Sequence, residues 1–145
     1  TFEENADSVD DTNFVNLDNV DNVTVFQLKP GEWDPSEYTF MEMEPDDGIE
    51  LFETVKQFSW DVAPKTFAAS GNFLKKKDTV IQFSCYVTAP SNVRVGVIEP
   101  DGTFSYTVGK GQVAGSYTVK RFGYHKVAVQ NILSSQINAT GYYVR

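Results

Sequence analysis

The sequence predicts an all-β fold: an antiparallel β-sandwich of jelly-roll-like build, preceded by an acidic arm and a β-hairpin. Three observations lead there. From Thr79 to Val144 apolar and polar residues alternate with a period of two, which gives each strand one buried and one wetted face. Turn signals recur at intervals of roughly 8–12 residues, the spacing of sandwiches and barrels. No segment carries a helical stripe, which argues against parallel α/β architecture.

The elements follow in order. Residues 1–22 are rich in Asp and Asn. Their apolar members Phe14, Val15, Leu17 and Val20 recur about every third residue, a period that suits neither helix nor strand. This stretch reads as a linker or a loosely docked arm. Val23 to Leu28 has strand composition and stops at Lys29-Pro30-Gly31. Pro45-Asp46-Asp47-Gly48 separates Thr39–Glu44 from Ile49–Glu53, so a hairpin is expected over 39–53, with Glu42, Glu44 and Glu50 pointing outward. Trp60 to Phe67 contains Pro64 and reads as an irregular lead-in.

Beyond it the alternation is regular. Ile81, Phe83, Cys85 and Val87 share one face; Gln82, Ser84, Tyr86 and Thr88 share the other. Val93, Val95 and Val97 continue the apolar face. Glu99-Pro100-Asp101-Gly102 then turns the chain into Phe104, Tyr106 and Val108. Val113, Tyr117 and Val119 follow, then Val127 and Val129, then Ile137, Ala139 and Tyr143. Ile81, Phe83, Val95, Val97, Phe104, Tyr117, Val127 and Val129 are expected to face inward. Two units result: an acidic arm with its hairpin over 1–58, able to dock on its neighbour, and a sandwich over 59–145.

Charge divides the chain in the same place. Residues 1–58 carry 16 Asp and Glu against Lys29 and Lys56, a balance of −14. Residues 59–145 carry 10 Lys and Arg against Asp61, Asp78, Glu99 and Asp101, a balance of +6. The two parts attract each other, or the first is a solvated arm. A net charge of −8 speaks against a nucleic-acid partner. Lys75-Lys76-Lys77 reads as a solvated loop guarding a strand edge. No stretch reaches the roughly 18 consecutive apolar residues of a membrane span. The single cysteine, Cys85, excludes an intrachain disulfide, and no basic, apolar leader is visible at Thr1.

Two segments carry a resemblance. They are Val93-Arg94-Val95-Gly96-Val97-Ile98-Glu99-Pro100-Asp101-Gly102 and Gly123-Tyr124-His125-Lys126-Val127-Ala128-Val129-Gln130-Asn131. An apolar strand entering a Pro-Asp-Gly turn, and a later Gly-Tyr strand ending in Asn, resemble bacterial pre-peptidase C-terminal domains. Related jelly-roll accessory domains of secreted enzymes and lipoproteins are similar too. The likeness covers residues 79–144. It implies a non-catalytic domain outside the cell or at its surface, aiding secretion, localisation or substrate contact. Some such domains hold calcium through loop carboxylates, but this half has only Asp61, Asp78, Glu99 and Asp101, and no calcium site is carried over.

Catalytic chemistry finds little support. His125 and Cys85 are the only residues of their kinds. Cys85 falls on the apolar face, where a thiol is inert packing, and no Gly-x-Ser-x-Gly elbow is present. The carboxylates of the hairpin offer proximity without a cleft. The Asp- and Asn-rich start lacks the Asp-x-Asp-x-Asp-Gly calcium loop, and one Cys with one His does not make a zinc site. Gly109-Lys110-Gly111-Gln112-Val113-Ala114 matches a dinucleotide fingerprint but runs into strand, not helix. No catalytic residue, metal site or cofactor is therefore expected.

Aromatic side chains are the remaining candidates for ligand contact. Trp33 lies in a Pro- and Gly-flanked loop, Trp60 in the lead-in, and Tyr86 and Tyr142 on outer faces. Exposed rings hold sugars through their C–H surfaces; the competing expectation is that both tryptophans plug the core or staple the first segment to it. The expected function is a non-enzymatic extracellular or cell-surface module for binding or localisation, with a protein or a cell-surface polysaccharide as partner. The rivals are a structural or regulatory ectodomain packing on a partner, and a carbohydrate-binding module.

Overall fold

The computed structural model describes residues 14–19, 24–32, 36–46 and 53–145. Twelve strands are present among them: β1 (Val15–Asn16), β2 (Val25–Leu28), β3 (Thr39–Glu42), β4 (Val55–Val62), β5 (Thr66–Ala69), β6 (Phe73–Lys75), β7 (Val80–Thr88), β8 (Val93–Ile98), β9 (Phe104–Gly109), β10 (Gly111–Thr118), β11 (Gly123–Asn131) and β12 (Ile137–Val144). The first sheet has the order β1-β10-β7-β12-β4. The second has the order β2-β9-β8-β11-β5-β3, with β6 on the other end of β11. The fold is all-β, two sheets packed as a sandwich, and no helix long and apolar enough to cross a membrane occurs among the described residues. Two pairings are parallel, β1 on β10 and β3 on β5. Both lie at sheet edges, where a strand arriving from a distant segment is not bound to a hairpin's direction.

The interior follows from period two. Ile81, Phe83, Cys85 and Val87 of β7 meet Val95 and Val97 of β8, Val127 and Val129 of β11, and Ala139 and Tyr143 of β12 in one buried cluster. Fully burying such a side chain contributes about 1.5–3 kcal/mol. Residues 58–62 belong to this pattern as well. Within β4, Phe58, Trp60 and Val62 point inward while Ser59 and Asp61 point outward. The segment around Trp60 is thus a regular strand, and β4 runs through the 58/59 division.

Phe104 lies on the opposite side of its sheet from the one expected. The β8–β9 register sets Phe104 beside Ile98 and Tyr106 beside Gly96, so both aromatics share the outer face with Arg94. Ser105 and Thr107 take the inner face, where Ser105 Oγ donates to Glu99 Oε2 at 3.0 Å and Thr107 Oγ1 to the Thr24 carbonyl at 2.8 Å. Phe104 is nonetheless buried, in a second apolar cluster with Phe67, Ala69, Tyr106 and Ala128. Phe67 on β5 and Phe104 on β9 are separated by β11 and β8, whose outer positions here are Ala128 and Gly96. These small residues leave a trough over which the two rings meet, with centroids 4.8 Å apart. Tyr106 and Phe26 extend the series at 5.0 and 5.6 Å, and the Arg94 guanidinium caps Tyr106 at 5.2 Å.

The acidic segment supplies edge strands. Leu17 is fully buried, and its N–H donates to Ser116 O at 2.8 Å. Asp18 accepts the Thr118 N–H at 2.9 Å. From the end of β3 onward, three carboxylates reach onto the sandwich. Glu42 pairs with Lys126. Glu44 accepts from Tyr143 Oη at 2.6 Å and from the Trp60 indole N–H at 3.3 Å, so it is not the outward residue that was expected. Asp46 accepts the Asn72 N–H at 2.9 Å. Of the hairpin expected over 39–53, the first limb is β3, which pairs with β5; residues 47–52, with Glu50, lie outside the described residues. Lys75 closes β6 and is buried, whereas Lys76 and Lys77 are exposed.

Candidate functional site

Four strands of the first sheet present a flat outer surface. Pairing aligns their outward residues in rows. Asp61 of β4 stands beside Asn138 of β12 and then Thr88 of β7. The next row runs Ser59, Thr140, Tyr86 and Gln112, and the one after it Gln57, Tyr142, Ser84 and Ala114. Asp61 is the sole charged side chain in these three rows. Tyr86 is 57% exposed at their centre. Tyr142 is its diagonal neighbour, a relation that spaces side chains about 7–8 Å apart. A shallow groove of about 550 Å³ runs along Gln57, Ser59, Thr140 and Tyr142.

The side chains are tied to one another. Asn138 Nδ2 donates to Asp61 Oδ1 at 3.0 Å. Thr140 Oγ1 donates to Asn138 Oδ1 at 2.6 Å. That hydroxyl has one proton, so in its 2.8 Å contact with Ser59 Oγ the serine is the donor. The relay runs from Ser59 through Thr140 to Asn138, and the Asn138 amide contacts Asp61. On the other flank Gln112 Nε2 donates to Ser84 Oγ. Asn138 Nδ2 also reaches Ser59 Oγ at 3.5 Å. The face keeps both acceptors, such as Asp61 Oδ2 and Gln112 Oε1, and donors, such as the Ser84, Tyr86 and Tyr142 hydroxyls.

Of the residues singled out in the sequence, Tyr86 and Tyr142 come together on this face. Trp60 does not join them. It is 4% exposed, packed against Phe58 in a tilted pair with ring centroids 4.4 Å apart and bonded to Glu44, which removes it from ligand contact and makes it a staple for the first segment. Trp33 lies outside the described residues. Ser59, Asp61, Gln112, Asn138 and Thr140 were missed. The signal available for them was the polar half of each alternating strand.

The interior holds no assembled nucleophile among the described residues. Burial pushes the Cys85 thiol up to about 12, far from thiolate formation. His125 Nδ1 donates to the Gly123 carbonyl at 2.9 Å, and its Nε2 is buried without a partner. The Tyr117 hydroxyl is likewise buried with no hydrogen bond, although the nearby Glu99 carboxylate adds to burial in raising its pKa. The Gly109–Ala114 fingerprint runs from the end of β9 through Lys110 into β10, with Gly111 at φ +68°.

Burial holds His125 below its ordinary pKa, outweighing the Gly123 bond and the Glu99 charge that favour protonation, while Lys75 and Arg121 add to the lowering. The unfolded chain therefore binds this proton more readily than the folded one. Stability from the neutral ring is complete above an unfolded pKa of about 6.5 and is lost as pH falls below it. Urea midpoints of the wild type are expected to decline from pH 8 to pH 5, and those of His125→Leu to stay nearly level. Asp46 and Asp101, both lowered chiefly by backbone hydrogen bonds, contribute a separate loss only below about pH 4. Equal slopes for both proteins between pH 8 and 5 would exclude His125 as the source.

No family model matches the chain. No curated protein matches it. Among solved structures it is similar to Aeromonas hydrophila PliG, a periplasmic lysozyme inhibitor of g-type lysozyme, with 12% sequence identity and a TM-score of 0.43 over 74% of this chain and 100% of that chain.

Proposed function

We propose that the chain is a non-catalytic binding module working outside the cell or at its surface, and that the outer face of the first sheet is its recognition surface. The observation that carries this is the exposed Tyr86 ring set in a nearly uncharged field of hydroxyls and amides that already hold each other in place. A tyrosine 57% open to water gains by having its ring covered, and side chains fixed before contact lose little entropy when a ligand arrives. The resemblance of residues 93–102 and 123–131 to accessory domains of secreted proteins supports the extracellular placement.

The test is retention on a surface. Fluorescently labelled wild-type chain is expected to be retained on purified bacterial cell walls. Tyr86→Ala combined with Tyr142→Ala is expected to lower retention about tenfold or more, the loss of roughly 1.4 kcal/mol or above. Phe26→Ala, on the outer face of the other sheet, should leave it unchanged. Equal retention of the double variant and the wild type would discard the face.

A further inference from the structure

We infer that the ligand of this face is a neutral, hydroxyl-rich glycan chain laid across β7 and β12. The ligand class rests on the reading of that face as the recognition surface. Three features select it.

The first is charge. A molecule of net charge −8 here presents a surface whose three rows contain one carboxylate and no cation. An anionic polymer finds nothing to neutralise it, and a cationic one finds only Asp61. The complementary partner is uncharged.

The second is the mixture of hydrogen-bonding groups. Ser59, Thr140 and Asn138 commit protons inward along the relay toward Asp61, and Gln112 commits one to Ser84. The groups left over include acceptors, Asp61 Oδ2 and Gln112 Oε1, and donors, the Ser84, Tyr86 and Tyr142 hydroxyls. A pyranose carries on nearly every ring carbon a hydroxyl that both donates and accepts, whereas a peptide offers one backbone N–H and one C=O per residue. A peptide is further disfavoured because β7 and β12 are each paired on both sides. Neither has a free edge for the strand addition by which extended peptides bind.

The third is the pair of rings. Tyr86 and Tyr142 occupy adjacent strands on a diagonal, about 7–8 Å apart. They can cover the C–H faces of neighbouring sugar units while their phenol oxygens stay among the hydroxyls.

The experiment is an amide NMR titration of the full chain with uncharged cellohexaose, laminarihexaose and a chitin hexamer, and separately with polygalacturonate and a neutral Ser/Gly-rich peptide. At least one uncharged oligosaccharide is expected to shift Ser59, Tyr86, Asn138, Thr140 and Tyr142 together. Tyr86→Ala should weaken that binding about tenfold, and raising NaCl from 50 to 500 mM should change the Kd less than about twofold, since no ion pair is screened. Thr140→Val, which breaks the relay and keeps the shape, should also weaken it. Shifts on this face from polygalacturonate or the peptide alone would overturn the glycan while leaving the face as the recognition surface. A face silent to every probe, or oligosaccharide shifts confined to the second sheet, would overturn both.

Discussion

Asn131→Asp is expected to cost about 4–5 kcal/mol at neutral pH, and Asn131→Ala about 2–3. Asn131 ends β11 and has no exposed surface. Its Nδ2 donates to Val62 O at 3.2 Å, Ala63 O at 3.0 Å and Ser135 O at 2.9 Å, while Oδ1 accepts the Leu133 N–H at 3.0 Å. One amide thus ties the end of β4, the turn after it and the loop before β12. Alanine leaves those backbone groups short of partners, at about 1–3 kcal/mol for a buried unsatisfied group. Aspartate keeps the oxygen for Leu133 but turns a second oxygen toward three carbonyls, which adds a buried unpaired charge. Protonation would restore a donor, so the deficit of the aspartate variant relative to wild type should shrink between pH 7.5 and pH 5, and that of the alanine variant should not. Urea denaturation at the two pH values measures this. An aspartate variant as stable as wild type at pH 7.5 would contradict the bonding geometry.

The second large effect concerns space. Gly141→Ala should lower stability by about 3 kcal/mol, the upper end for overpacking, and Tm by about 6–12 °C. Gly141 faces inward between Phe58 of β4 and Cys85 of β7. A Cβ there would lie 2.0 Å from the Ser84 carbonyl oxygen and 2.5 Å from Cys85 Cα. Both obstacles are backbone of a central strand, which cannot move aside without parting β7 from β12. Gly111→Ala serves as the comparison. Nothing lies within 4 Å of its added Cβ, and only its φ of +68° opposes the change, a strain of about 1–2 kcal/mol. Thermal melts by circular dichroism should rank Gly141→Ala well below Gly111→Ala. The reverse order would show that the strands yield.

What could be read from the sequence, and what could not, divides on locality. Ile81 to Val87 and Val93 to Val97 announce their inward faces because period two is a property of neighbours two apart. The same pattern exists in Phe58, Trp60 and Val62, yet the change of charge at residue 58 cuts across it. Charge reports solvation and says nothing of pairing. Phe104 shows a different limit. Alternation tells which residues share a face but not which face is covered, and in the second sheet apolar side chains are buried on both. The candidate site was half legible. Tyr86 and Tyr142 stand out as large rings on polar faces. Their setting depends on contacts such as Ser59 with Thr140, 81 residues apart, which no local pattern encodes.

The edge strands have a consequence for how the chain assembles. Three of the four sheet edges are β1, β2 and β3, the earliest described parts of the polypeptide to leave a ribosome. For β1 and β2 the partner comes much later: Val15 waits for Gly115, and Phe26 for Tyr106, whereas Thr39 of β3 meets Thr66 sooner. During synthesis, then, the borders are made before the fabric they border, and they close loops of high entropic cost last. A strand-forming segment left unpaired so long is an invitation to pair with a neighbouring chain. The carboxylates crowded into residues 1–58 give nascent copies a mutual repulsion over that interval, and several of them, Asp18, Glu42, Glu44 and Asp46, become fastenings once the sandwich arrives.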